Sequence, residues 1–248
     1  MSGEDDALRK YRRKRRFNRT SEPSGAGRPT ARERPGTATP EQDGTPEPDE
    51  TGPPVPGAHG RPAPAAEPAV PASETGGAPC FVVQIHAATT THFDVRLEVG
   101  GVLKSWSVPK GPSADPGVRR LAMPTEDHPL EYRDFEGVIP RGEYGGGSVI
   151  VWDRGSYEPL SRDFPAALER GHVSFRLRGS KLRGGYALIR FRGGDEEREA
   201  WLMVKENDGH PTPHATPDPK RARSVLSNRT LRQVAAEEGG DSGPRPTR

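Results

Sequence analysis

Apolar residues along this chain recur with a period of two over short runs, and turn residues separate the runs. "FVVQIH" (81–86), "HFDVRLEV" (92–99), "VLKSWSV" (102–108), "SVIVWD" (148–153), "HVSFRLR" (172–178), "YALIRF" (186–191) and "WLMVK" (201–205) are β-branched, aromatic or alternating throughout, the mark of strands. A helical spacing occurs at "FPAALERG" (164–171), and "SVLSNRTLRQVAAEE" near the C-terminus offers a second short helix. The pattern predicts a mainly β fold: a small antiparallel β-barrel with one or two short helices, flanked by disordered N-terminal and C-terminal segments.

Within 92–99 the alternation sorts chemistry as well as apolarity. Phe93, Val95, Leu97 and Val99 share one strand face, and His92, Asp94, Arg96 and Glu98 share the other. The same parity puts Gln84 and His86 together on the preceding strand. The short "AATTT" connection makes the two strands neighbours, so that His86 falls beside His92 and Asp94. Two neutral imidazoles and one carboxylate form a three-ligand set with open positions, the arrangement of a catalytic Mn²⁺ or Zn²⁺. The plain reading of a lone H-x-D is two ordinary strand polar residues, so the company of this one matters.

Composition confines the core. Gly (30) and Pro (28) are abundant and only 30% of the 248 residues are hydrophobic. From Pro23 to Pro79 lie 14 prolines and no Leu, Ile, Met, Phe, Tyr or Trp; such a stretch cannot offset the entropy of ordering itself. The expected organisation is a basic arm over 1–22, a disordered Pro/Gly-rich linker over 23–78, a barrel over 79–206, and a mostly disordered tail with a short helix over 207–248. The arm, "RKYRRKRRFNRT", holds eight Arg or Lys among residues 9–20, in electrostatic terms a nucleic-acid-seeking segment or a solvated tail. The block 79–205 carries 18 Arg or Lys against 17 Asp or Glu, so its basicity is a matter of placement. One cysteine, Cys80, excludes an intrachain disulfide. No apolar run approaches the roughly 18 residues of a membrane span, and the expectation is a cytoplasmic, nucleoid-associated protein with no membrane partner.

Downstream, "VPKGPSADPGVRRLAMPTEDHPLEY" supplies Lys110, Arg119, Arg120, Glu126, Asp127, His128 and Tyr132 in Pro- and Gly-punctuated loop. Arg and Lys with few local acceptors suit phosphate oxygens. A metal centre, several cations and a further His describe phosphoester hydrolysis. "GEYGGG" (142–147) reads as a hairpin turn or bulge, or else as a phosphate cradle; no G-K-[ST] follows, so it is not a P-loop.

"FVVQIHAATTTHFDVRLEVGGVLKSWSVPKGPS", "RRLAMPTEDHPLEYRDFEGVIPRGEYGGGSVIVWDRGSYEP" and "GSKLRGGYALIR" closely resemble the 3′-phosphoesterase domain of bacterial DNA ligase D, the end-healing module of non-homologous end joining. The likeness runs over about residues 80–205, and "YRRKRRFNRTSEP" and "RSVLSNRTL" resemble the flanking pieces. With neither a polymerase nor a ligase domain in the sequence, a stand-alone version is expected. The resemblance implies a Mn²⁺-dependent enzyme that removes 3′-terminal ribonucleotides or 3′-phosphates. It implies His86, His92 and Asp94 as metal ligands, and Arg96, Lys110, Arg120, His128 and Tyr132 around the phosphate. Gln84 and Glu126 would support them, and Arg15 and Glu22 of the arm would order near the site. Where the family reads Arg-Asp before the Phe, this chain reads Arg15-Arg16.

The expected partners are DNA or RNA/DNA 3′ ends, a separate DNA ligase and a Ku-type end-binding protein. A protonated His128 could assist the leaving group or hold a phosphate oxygen, and either a metal-activated water or a ribose 2′-hydroxyl could attack. Two other classes compete. A non-haem iron oxygenase also uses H-x-D with a later His, and a non-catalytic DNA-end-binding adapter needs only the cations.

Overall fold

Gly100 and Gly101 both take positive φ, +60° and +83°, which is what a two-residue hairpin of matched twist requires. They join β2 (Thr91–Val99) to β3 (Val102–Val108) and set Val99 opposite Val102. The computed structural model describes residues 3–26, 77–194, 197–209 and 218–238. Residues 27–76 of the expected linker lie outside the described residues.

Ten strands are formed: β1 (Cys80–Ala87), β2, β3, β4 (Arg119–Pro124), β5 (His128–Pro129), β6 (Gly137–Ile139), β7 (Gly147–Pro159), β8 (His172–Gly179), β9 (Arg183–Gly194) and β10 (Glu197–Lys205). Eight of them pair antiparallel in the ring β1-β2-β3-β4-β10-β9-β8-β7, and β7 pairs back to β1 to close it; β5 adds to β3 and β6 to β7. The predicted antiparallel barrel is therefore closed, leaving the ring without an open edge. Its interior takes one alternate set of side chains, among them Phe81, Val83, Ile85, Phe93, Val95, Leu97, Trp106, Trp152 and Trp201. The helix expected at "FPAALERG" is α3 (Phe164–Arg170), whose N-cap Asp163 accepts from the Ala166 N–H.

β1 is buried on both faces. Val82, between the inward Phe81 and Val83, belongs to a second apolar cluster with Tyr11, Leu103, Tyr132, Phe135, Ile139, Val149 and Val151. This outer layer lies between the barrel wall, the 3₁₀ turn Leu130–Asp134 and the arm. In the arm, Leu8 between α1 (Gly3–Ala7) and α2 (Arg9–Arg13), and Tyr11 within α2, are completely buried, and the Tyr11 hydroxyl donates to the Pro23 carbonyl at 2.7 Å.

The tail departs from expectation in part. Residues 218–238 pack on the barrel: Val225 N–H donates to the Val151 carbonyl at 2.9 Å. α4 (Leu231–Glu237), started by a Thr230–Gln233 capping box, buries Val234 in the interior cluster. The physical reason is the apolar spacing Leu231–Val234–Ala235, which presents one buried helix face.

Candidate metal centre and its cationic surround

The β1–β2 register sets His86 opposite His92 and Gln84 opposite Asp94, on the outer wall of the barrel because Phe93 and Val95 point inward. One donor atom from each of His86, His92 and Asp94 lies within 4.8 Å of the others. His86 Nδ1 is 3.9 Å from Asp94 Oδ2, and His92 Nε2 is 3.6 Å from Asp94 Oδ1.

The far nitrogen of each ring is held by a backbone carbonyl. His86 Nε2 meets Gly145 O at 2.7 Å and His92 Nδ1 meets Thr90 O at 2.8 Å. A carbonyl only accepts, so these nitrogens carry the protons and the lone pairs of His86 Nδ1 and His92 Nε2 face the Asp94 carboxylate. Burial holds His86 below its usual pKa, against the opposing pull of Asp94, which keeps it neutral. Two pre-oriented imidazoles beside a carboxylate are a donor set that fits a divalent ion.

Behind this triad sits Arg96, only 3% exposed, with each of its nitrogens engaged. Nε donates to Gln84 Oε1 (2.8 Å), Nη1 to Ser105 Oγ (2.8 Å) and Nη2 to Asp94 Oδ2 (3.1 Å). Gln84 is fixed in turn by donating to the Tyr132 and Phe135 carbonyls. Arg96 thus orients the carboxylate of the triad and tethers it to the 3₁₀ turn.

His128 lies between two guanidinium groups, with Arg96 Nη1 2.9 Å from its Nδ1 and Arg15 Nη2 3.3 Å from its Nε2. Nδ1 is also 2.8 Å from the Glu126 carbonyl. A proton on Nδ1 donates to that carbonyl while Nε2 accepts from Arg15; a proton on Nε2 instead lets Nδ1 accept from Arg96. Burial, then the charges of Arg96 and Arg15, push His128 well below its usual pKa. These effects favour the neutral imidazole in the resting protein.

The arm supplies the rest. Arg15 Nε donates to Glu22 Oε1 (2.8 Å) and Nη1 to Glu126 Oε1 (2.9 Å), with the guanidinium 3.8 Å from the Tyr11 ring centre. Tyr132 Oη donates to the same Glu22 oxygen at 3.0 Å, and burial followed by the Glu22 charge pushes the phenol well above its usual pKa. Burial tends to raise the Glu126 pKa, but hydrogen bonds from Lys14 and Arg15 outweigh it and hold the carboxyl below its usual value.

Of the residues expected at the site, His86, His92, Asp94, Arg96, Gln84, His128, Tyr132, Glu126, Arg15 and Glu22 form this continuous network. Lys110 and Arg120 do not join it. Lys110 is exposed in the turn after β3, and Arg120 stands opposite Met203 on the strand face of the inward Ala122, its Nε buried without a partner. Arg16 turns away to Glu143, at 2.8 Å, as does Arg19.

Sequence reading missed Ser105, Lys14 and the Gly145 carbonyl. The first had a signal, since Ser105 and Ser107 alternate through an apolar strand and pair with Arg96 and Asp94. The second had none, being one cation among eight.

A closed antiparallel barrel with a two-histidine, one-carboxylate centre on its outer wall, backed by guanidinium groups and an imidazole, defines a class of small barrels equipped for a divalent ion beside an anion. Residues 84–190 match the family model described as the DNA Ligase D 3′-phosphoesterase domain. Among similar proteins is a multifunctional non-homologous end joining protein LigD of Pseudomonas aeruginosa, 50% identical over 165 residues, which cover 65% of this chain and 19% of the relative. A multifunctional non-homologous end joining DNA repair protein LigD of Mycobacterium tuberculosis is 48% identical over 128 residues, 52% of this chain and 16% of the relative. One from Mycolicibacterium smegmatis is 45% identical over 140 residues, 54% and 18% respectively. The chain therefore spans less than a fifth of the length of these relatives.

Proposed function

We propose that the barrel is a metal-dependent phosphoesterase that heals DNA 3′ ends, removing terminal ribonucleotides or 3′-phosphates to leave 3′-hydroxyls for ligation. The observation that carries this reading is the pre-oriented His86–His92–Asp94 donor set joined through Arg96 to His128, within a chain whose residues 84–190 match a phosphoesterase domain family model. His86, His92 and Asp94 would hold one divalent ion, Mn²⁺ by the family resemblance. When bound, it supplies neutralisation of charge on a phosphoryl oxygen and activation of a nucleophile.

The protein's own residues divide the remaining work. Arg96 fixes the Asp94 carboxylate, and Glu22 and Glu126 fix Arg15 against His128. Burial, and then the two flanking guanidinium groups, favour a neutral His128. A phosphate drawn towards Arg15, Arg96 and Lys14 offsets those charges and raises the proton affinity of His128 Nε2, so that a proton is available there once substrate is present. Lys110 and Arg120 lie towards the barrel end where β2 begins and serve the approach of the nucleic-acid backbone.

The substrates are DNA or RNA/DNA 3′ ends, with a separate DNA ligase and a Ku-type end-binding protein as partners in a cytoplasmic, nucleoid-associated setting. Among the described residues no helix is long and apolar enough to cross a membrane.

The experiment is turnover of single-stranded oligonucleotides ending in a 3′-phosphate or a 3′-ribonucleotide, with Mn²⁺ and with chelator. Chelator-sensitive release of phosphate or nucleoside supports the proposal. Binding with no release in either condition makes the protein an end-binding adapter, and turnover that needs O₂ and iron makes it an oxygenase.

A further inference from the structure

Tyr144 leaves 48% of its surface exposed, in a loop otherwise built tightly. Backbone hydrogen bonds from Glu143 N–H to Pro140 O and from Gly146 N–H to Glu143 O, both 3.1 Å, close two successive turns. The residue after Tyr144 is the Gly145 whose carbonyl orients His86. The hydroxyl accepts from Lys14 Nζ at 2.8 Å, and that same ammonium, 4.1 Å from the ring centre, also donates to Glu126. Arg15 lies over the same ring at 5.6 Å, and Arg16 and Arg19 pair with the neighbouring Glu143. An aromatic ring left half-exposed beside the loop that orients His86, steadied at its polar tip and with cations held over the ring, has the composition of a platform whose remaining exposed surface can take a nucleobase.

Resting on the phosphoesterase reading, we propose that Tyr144 is the stacking platform for the base at the 3′ end, and so fixes which phosphoester faces the triad. The 3′-terminal base exposes its outer face in single-stranded and blunt ends alike, so Tyr144 can cap either, with little preference among the four bases.

The test places 2-aminopurine as the 3′-terminal nucleotide of a single-stranded oligonucleotide and reads its fluorescence and Kd with wild type, Tyr144→Phe, Tyr144→Trp and Tyr144→Ala, alongside KM and kcat for a 3′-phosphate substrate. Quenching is expected with wild type, Phe and Trp. In Tyr144→Ala it is lost, Kd weakens by about five- to a hundredfold, the range of one base–aromatic stack, and KM rises by a larger factor than kcat falls. Tyr144→Phe distinguishes the ring from the hydroxyl: if Phe behaves as Ala does, the contact with Lys14 is what matters and the platform is refuted. Wild-type hydrolysis with an unquenched terminal base refutes the platform alone. A wild type that neither binds nor hydrolyses the oligonucleotide removes the phosphoesterase reading and the platform with it.

Discussion

Replacing Arg15 with Ala strips three partners at once. Glu22, whose side chain is fully buried, loses its only ion pair among the described residues and keeps two neutral donors, Tyr132 Oη and Thr20 Oγ1. Glu126 retains Lys14, and His128 loses the donor at Nε2. Leaving a buried carboxylate uncompensated costs about 3–5 kcal/mol. The arm could instead swing free to hydrate Glu22, but that exposes Leu8 and Tyr11, each worth about 1.5–3 kcal/mol of burial, so the escape is no cheaper. At about 2–4 °C per kcal/mol for a domain of this size, the midpoint should fall by about 6–20 °C. Thermal and urea unfolding of wild type, Arg15→Ala and the pair Arg15→Met/Glu22→Gln decide the matter. The double variant leaves no buried charge at residue 22 and should unfold above Arg15→Ala. An Arg15→Ala midpoint within about 2 °C of wild type, or a double variant no better than the single, would refute the reasoning.

His128 titrates near 6.5 when unfolded and well below that when folded, so between those values only the unfolded chain takes up the proton and stability falls as pH drops below about 6.5, by up to about 1.4 kcal/mol per pH unit; urea unfolding at pH 7.5 and 5.5 measures it, and His128→Gln should flatten the slope, leaving the His86 share. Tyr132→Phe removes one donor from buried Glu22 and should cost about 1–3 kcal/mol in the same assay; a neutral result means Glu22 finds another donor. Arg16→Ala breaks an ion pair whose arginine side is 58% exposed while Arg19 still holds Glu143, so the change in unfolding free energy should stay under about 1 kcal/mol, and a larger loss would give Arg16 a structural role.

Strand periodicity made most of the centre legible. A period of two over 92–99 fixes which side chains share the outer face, and a short connection fixes the partner strand, so the juxtaposition of His86, His92 and Asp94 follows from sequence. What stayed hidden depends on contacts between residues far apart in the chain. Nothing local distinguishes Arg15, buried against Glu126 across 111 residues, from Arg16, which points outward one position later. The double burial of β1 is equally invisible, because Val82 and Gln84 are covered by Tyr11, Tyr132 and Phe135 from elsewhere. Nor could sequence give the lowered proton affinity of His128, which comes from its burial and then from two arginines converging from β2 and the arm. The Gly-rich loop read as a turn is one, yet its Gly145 carbonyl also sets the tautomer of His86.

The central claim is that His86, His92 and Asp94 form one divalent-ion site on which hydrolysis depends. Isothermal titration with Mn²⁺, run beside the 3′-phosphate assay on wild type and on His86→Ala, His92→Ala and Asp94→Ala, tests it most directly. The expected result is one Mn²⁺ per wild-type chain, binding weakened at least about tenfold in every variant, and hydrolysis lost in step with it while the far-UV spectrum of His92→Ala stays that of the wild type. Undiminished Mn²⁺ binding by Asp94→Ala, or hydrolysis that survives in variants unable to bind the ion, would contradict the account.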